Sequence, residues 1–298
     1  MIKILIIGSK GFIGSYLVRY FTGLNYDVWQ CDIVNDYNSI KYFQIDATNS
    51  DYKVIFEQQK FDVCINCSGA ASVPDSLIHP HRDFLLNTVN VYAMLDAIRI
   101  YNHGCRFINL SSAAVYGNPK VLPIRESHEL TPMSPYGCHK LMSEQILKEF
   151  STEFHEKTCS LRIFSAFGIG LKKQLFWDMN KKMEAAYDAE FWGTGDESRD
   201  FIHVNDIAQV ILLAIEHTNF NGEAINVANG VQTTIRECAY LYARLKNFSG
   251  DIIFNGNVRE GDPRFWQADI SMITKWGYKQ TITLEQGLKE YIKWAENI

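Results

Sequence analysis

Three observations on this 298-residue chain predict an α/β fold built on a doubly wound parallel sheet. Short β-branched runs alternate with longer helical stretches through the N-terminal half, and several of those runs are apolar throughout. The glycine-rich stretch Gly8-Ser9-Lys10-Gly11-Phe12-Ile13-Gly14 stands directly after the first run and opens the first helical stretch.

The expected strands are 3–7, 27–32, 42–46, 63–66, 106–111 and 160–164. Helices are expected between them at 14–21, 52–59, 84–102 and 136–154, from length and periodicity. The apolar start could imitate a secretion signal, but Lys10 and Arg19 arrive early and no small-residue cleavage site follows. It reads as a strand.

Beyond residue 164 the alternation loosens. Helices are expected at 172–184, 205–217, 235–245 and 284–294, with a short strand at 223–227. The length suits about two domains. The division expected is a dinucleotide-binding domain over 1–164, to which 201–228 returns, and a smaller C-terminal substrate-binding domain from 165–200 and 229–298.

Composition narrows the function classes. Hydrophobic residues make up 47% and charged residues 21%, enough apolar surface for a sizeable core. A net charge of -5 gives no electrostatic reason to expect nucleic acid as a partner. No apolar run reaches the length of a membrane span. Seven scattered cysteines make no disulfide framework. Cys64 and Cys67 form a C-x-x-C inside the apolar run Phe61-Asp62-Val63-Cys64-Ile65-Asn66-Cys67, which reads as strand burial rather than a redox or zinc pair, and the compartment expected is the cytoplasm.

In the glycine stretch, Gly8 permits a tight turn, Gly11 lets backbone amides approach a pyrophosphate, and Gly14 allows close helix–strand packing. The helix N-terminus adds unpaired N–H donors. Asp32 ends the second strand 18 residues after Gly14, placed to accept from an adenosine ribose and to repel a 2′-phosphate. Ile33-Val34-Asn35 supply no cation for such a phosphate, so NAD is the expected cofactor.

Ser134-Pro135-Tyr136-Gly137-Cys138-His139-Lys140 begins a helix, and Tyr136 and Lys140, four apart, share a face. A nearby ammonium and the positive nicotinamide ring are expected to favour the phenolate of Tyr136. Taken alone, Y-x-x-x-K is an ordinary helix-surface pattern. Upstream, Ser111-Ser112-Ala113-Ala114-Val115-Tyr116-Gly117 follows an apolar strand and brings a serine hydroxyl to the same rim.

With these residues in place, the chain resembles the extended short-chain dehydrogenase/reductases, specifically the NAD-dependent epimerase/dehydratase family acting on sugar nucleotides. The likeness spans nearly the whole chain. It includes the glycine loop, Asp46-Ala47, Cys67-Ser68-Gly69-Ala70-Ala71, Asn87, the serine segment and Y-x-x-x-K. It continues through Gly193-Thr194-Gly195-Asp196-Glu197-Ser198-Arg199-Asp200-Phe201, Arg259-Glu260-Gly261-Asp262-Pro263 and Lys275-Trp276-Gly277-Tyr278. The resemblance implies a modified Rossmann fold with Ser112, Tyr136 and Lys140 as the catalytic set. It implies cofactor contacts from Gly8, Gly11, Phe12, Ile13, Gly14, Asp32, Asp46, Ala47, Ser68, Gly69, Ala70, Asn87 and Ser111 as well as Tyr136 and Lys140. Ser112, Ser165, Arg199 and Arg259 would meet the substrate, the two arginines through its diphosphate.

Departures from the family pattern narrow the reaction. The 4,6-dehydratases carry an Asp-Glu pair directly after the hydroxyl residue, and this chain has Ala113 and Ala114, which move no protons. Ser165 stands where Asn is common, with a shorter reach. His79-Pro80-His81 lacks a third ligand at metal spacing and reads as a loop before a helix. The expected activity is therefore epimerisation of a nucleotide sugar, at C4, through a transient ketone. The alternatives are a ketoreductase of a 4-keto-6-deoxy sugar nucleotide and a non-catalytic NAD-responsive protein. The resemblance further implies a homodimer.

Overall fold

The computed structural model describes residues 1–46, 50–257, 261 and 263–298. Its centre is a seven-stranded, wholly parallel sheet. The strands are β1 (Lys3–Ile7), β2 (Asp27–Asp32), β3 (Tyr42–Gln44), β4 (Val63–Asn66), β5 (Arg106–Ser112), β6 (Thr158–Ile163) and β10 (Asn221–Val227). Their spatial order is β10-β6-β5-β4-β1-β2-β3. The order reverses between β1 and β4, so the chain leaves their carboxyl ends in opposite directions and opens a crevice there.

Why these runs make a buried parallel sheet is visible in β1. Ile4 and Ile6 face one apolar layer with Leu17, Phe21 and Ile65, while Leu5 and Ile7 face the other with Cys64, Phe107 and Leu147. A strand covered on both faces needs apolar residues at every position. The first layer is closed by α1 (Phe12–Gly23) and α8 (Val204–His217), the second by α2 (Lys53–Gln58), α5 (Asn90–Tyr101) and α6 (Pro135–Glu153).

The remaining elements gather past the carboxyl ends of the sheet. β7 (Ser165–Phe167), β9 (Ser198–His203) and β11 (Gln232–Thr234) form one small sheet, and β8 (Ala189–Phe191) pairs with β12 (Ile252–Phe254). With α7 (Gln174–Ala185), α9 (Ile235–Lys246) and α11 (Leu284–Ala295) they enclose a separate cluster around Phe176, Tyr242 and Tyr291. The short α10 (Ser271–Lys275) packs against β10.

Three local expectations change. The helix expected over 84–102 is α4 (Pro80–Phe84), a π-helical turn at Leu85–Val89, and then α5. Of His79-Pro80-His81, expected as a loop before a helix, only His79 lies outside helix, between α3 (Val73–Ile78) and α4, and Pro80 opens α4. The strand expected over 42–46 stops at Gln44. Among the described residues no helix is long and apolar enough to cross a membrane.

Candidate active site

Four chain segments meet at the crevice. The first is the glycine loop, which turns on Gly8 at φ +79°. A Cβ on Gly14 would stand 2.1 Å from the Gly8 carbonyl oxygen, so α1 can begin this close to β1 only without a side chain there. Gly11 caps α1 with no side-chain bond, leaving the first amides to a ligand. The Asp32 carboxylate accepts from the Lys10 amide at 2.8 Å and the Ile33 amide at 2.8 Å, tying the loop to the end of β2. Lys10 itself pairs with Asp36 at 2.5 Å, a cation beside the Asp32 end that the sequence reading passed over. Asp46 follows β3, and Ala47 lies outside the described residues.

The second segment follows β4. Ser68 donates to Asn66 Oδ1 from both its amide and its hydroxyl, at 3.0 and 2.6 Å. Gly69 takes φ +113°, and a Cβ on it would stand 2.4 Å from Asn87 Oδ1. Asn87, on the π-helical turn, is 1% exposed, yet neither end of its amide has a protein partner among the described residues. Buried amides of this kind are satisfied in nearly all proteins. Unpaired amide groups beside a glycine cradle and a helix N-terminus suit a dinucleotide spanning the switch point.

The third and fourth segments carry the reactive groups. Ser111 and Ser112 end β5, and the Ser112 hydroxyl accepts from the Ala114 amide at 3.2 Å to cap a 3-10 turn over Ala113–Tyr116. Helix α6 starts at Pro135, capped by Ser134, and the Tyr136 amide donates to Ser76 on α3 at 3.2 Å. Gly137 allows the two segments to touch, because a Cβ there would lie 2.7 Å from the Ala114 carbonyl oxygen. That contact brings the Ser112 hydroxyl beside the Tyr136 phenol, near enough to ease its ionisation. Lys140 is 5% exposed, donates to the Leu110 carbonyl at 2.9 Å, and holds its ammonium 5.9 Å from the centre of the Tyr136 ring.

Burial dominates the electrostatics of this pair. It pushes the Tyr136 phenol up to about 12, with the nearby Ser112 hydroxyl acting the other way. It pulls Lys140 down to about 8. The expectation that a neighbouring ammonium eases the phenol's ionisation is corrected for the protein alone. The lysine sits over the ring and is not among the groups that shift the hydroxyl.

Ser68, Gly69, Ala70, Ser111, Ser112, Tyr136, Lys140, Ser165 and Arg199 all line one cleft of about 740 Å³ between the sheet and the C-terminal elements, with Ile13 at its cofactor end. Gly8, Gly11, Phe12, Gly14, Asp32, Asp46 and Asn87 are not on its wall; the glycine loop borders it through Ile13. Arg259 lies outside the described residues. Ala114 lines the cleft, and Ala113 is fully buried. The sequence reading missed Trp192, Arg264, Trp266 and Lys173 on the outer wall. Arg199 lies over the Trp266 ring at 5.6 Å. An aromatic five residues after Gly261 and a cation five residues after Arg259 were the available signal, in a loop without periodicity.

A parallel sheet with a glycine-rich switch point and a serine–tyrosine–lysine set on its rim defines a nucleotide-dependent oxidoreductase-type fold. Residues 4–228 match the NAD dependent epimerase/dehydratase family, and the chain belongs to that family. It is 27% identical to a putative UDP-glucose 4-epimerase of Methanocaldococcus jannaschii, over 99% of this chain and 98% of the relative. Among solved structures, UDP-N-acetylglucosamine 4-epimerase from Methanobrevibacter ruminantium M1, in complex with UDP-N-acetylmuramic acid, superposes with a TM-score of 0.87 at 27% identity, covering 99% and 98% of the two chains. UDP-glucose 4-epimerase from Thermotoga maritima with UDP-glucose gives 0.90 at 25% identity, covering 99% of both.

Proposed function

We propose that this chain is an NAD-dependent epimerase acting at C4 of a nucleotide sugar. The observation that carries this reading is the meeting of the Ser112 hydroxyl and the Tyr136 phenol, with Lys140 buried beneath them, at a point where the next two residues are alanines. The family membership and the 4-epimerases among the chain's relatives support it.

NAD bound along the glycine loop supplies the hydride acceptor, and it is regenerated in each cycle. Tyr136 would take the proton from the C4 hydroxyl as the C4 hydride passes to the cofactor, and would return it to the same oxygen when the hydride comes back to the opposite face of the ketone. Ser112 donates a hydrogen bond to the same oxygen and holds it in line with the phenol. The positive nicotinamide ring of bound cofactor would favour the phenolate, with Lys140 buried beneath the tyrosine ring. Arg199 and Arg264 face the diphosphate, joined by Arg259 as the resemblance implies. Ala113 and Ala114 offer no second acid–base pair, so elimination of water has no catalyst here.

In this reading residues 1–164 and 201–228 bind cofactor, while 165–200 and 229–298 bind the nucleotide sugar. Exposed Tyr92 and Ile100 on α5 and Met142 on α6 suit a helical dimer face. Seven free cysteines suit the cytoplasm.

Purified protein is incubated with UDP-glucose, UDP-N-acetylglucosamine and UDP-glucuronic acid, with and without NADH, and products are resolved by NMR. Conversion to the 4-epimer without net change in NADH absorbance is expected. Stoichiometric NADH loss with a 4-keto substrate and no epimerisation would replace this reading with the ketoreductase.

A further inference from the structure

Asp32, Asp36 and Lys10 gather past the carboxyl end of β2, and only Asp32 has a place in the reading given so far. On a fold of this kind the acid that ends β2 meets the adenosine ribose, and a cation at the same place is what accommodates a 2′-phosphate. The continuation of the strand, Ile33-Val34-Asn35, carries no cation. The glycine loop does carry one. Its Lys10 amide donates to Asp32 Oδ2 at 2.8 Å, so the lysine side chain departs from a backbone already bonded to that acid.

The lysine is engaged elsewhere. Its Nζ pairs with Asp36 Oδ2 at 2.5 Å and lies 5.2 Å from the centre of the Tyr42 ring on β3. Both partners are fixed in turn. Asp36 Oδ1 accepts from the Asn38 amide at 3.1 Å, and the Tyr42 hydroxyl donates to the Val34 carbonyl. The hydrogen bond from Lys10 keeps the Asp36 carboxyl below its ordinary range. The lysine and aspartate side chains are 32% and 17% exposed, so the pair is less screened than one in open water. Lys41, ahead of β3, is occupied at the opposite end of β2, where it pairs with Asp27 at 2.7 Å.

We propose that Asp36 is a selectivity residue for the cofactor: by holding Lys10 it withholds from a 2′-phosphate the cation that the glycine loop could offer. The proposal rests on the reading of that loop as a dinucleotide site. A 2′-phosphate could gain Lys10 only by drawing it from Asp36, which would leave a second unpaired carboxylate beside the new negative charge. The plain ribose hydroxyls of NAD ask nothing of the lysine, so NAD binds with the pair intact.

NAD and NADP differ only by the 2′-phosphate, and their affinities are measured by calorimetry on the full-length protein freed of retained nucleotide. No turnover is needed. In Asp36→Asn the affinity for NADP is expected to rise by about fivefold or more, while that for NAD stays as in the wild type. Adding Lys10→Met to Asp36→Asn removes the gain. Unchanged NADP affinity in Asp36→Asn overturns the proposal. So does a gain that survives Lys10→Met, because relief of repulsion and not the freed lysine would then be its cause. Asp36→Ser removes the same charge and keeps an acceptor for the Asn38 amide, and it decides the matter if the asparagine variant does not fold. Failure of the wild type to bind NAD would overturn the dinucleotide reading and this proposal together. NAD bound with NADP affinity unmoved by either substitution overturns the role of Asp36 alone.

Discussion

Glu144 and Arg162 form a paired salt bridge inside the molecule, 2.7 Å between Oε2 and Nη2, with side chains 8% and 5% exposed. Glu144 also accepts from the Ser111 hydroxyl at 2.6 Å, and Arg162 donates to the Tyr116 hydroxyl at 2.7 Å. The pair thus fastens α6 to β5 and β6 one residue before Ser112. Removing one partner leaves an uncompensated buried charge, so Glu144→Ala is expected to lose about 3–5 kcal/mol of stability. Glu144→Met with Arg162→Met together should lose far less. Urea unfolding of the three proteins checks this, and an additive loss in the double variant would contradict it.

The Ser112 hydroxyl beside Tyr136 favours the phenolate against burial. Ser112→Ala is expected to lower kcat by roughly 100-fold or more with little change in KM, because the contact matters most as the proton moves. Tyr136→Phe should remove nearly all turnover and leave NAD binding intact. Melting temperatures equal to the wild type would show that chemistry, not folding, was lost. Epimerisation at wild-type rate by either variant would remove Tyr136 and Ser112 from the mechanism.

The strands β1 and β4 were legible in the sequence because burial on both faces leaves a nearly unbroken apolar run. Ser112, Tyr136 and Lys140 were legible because their spacing repeats a pattern fixed by chemistry. The π-helical turn was not. Leu85-Leu86-Asn87-Thr88-Val89 reads as plain helix, yet its π-helical turn sets Asn87 against Gly69, where a Cβ would not fit, and lets Thr88 donate to the His139 carbonyl. Trp192, Trp266 and Arg264 escaped because the loops that place them have no period, and their neighbours come from distant parts of the chain. The direction of the Tyr136 shift escaped for a related reason. Spacing shows which charges are close, and it does not show how much water has been excluded.

Gly137 lets α6 lie against the 3-10 turn after Ser112, with no room for a Cβ beside the Ala114 carbonyl oxygen at 2.7 Å. Gly137→Ala should push the helix away and separate Ser112 from Tyr136. The expected result is a destabilisation of about 1–3 kcal/mol together with a fall in kcat resembling that of Ser112→Ala. Thermal unfolding and steady-state kinetics report the two effects. Unchanged kinetics would mean that the serine and tyrosine do not depend on this contact.

Burial holds Lys140 at about 8, below the 10.5 of an unperturbed lysine, so between those values the unfolded chain binds more protons than the folded one. Stability contributed by this group therefore rises with pH through that window, at up to about 1.4 kcal/mol per pH unit. Tyr136, raised from 10.0 to about 12, acts in the opposite sense above pH 10, where the folded form retains the proton. In Tyr136→Phe the opposing contribution is gone, and the lysine's rise should persist to the top of its window. Lys140→Met removes the rise itself and should be more stable than the wild type near pH 7, since a buried cation has been replaced by an apolar chain of similar length. Urea unfolding at intervals from pH 7 to 11 tests both statements. A wild-type curve parallel to that of Lys140→Met across the window would show that Lys140 is not held below its ordinary range in the folded protein.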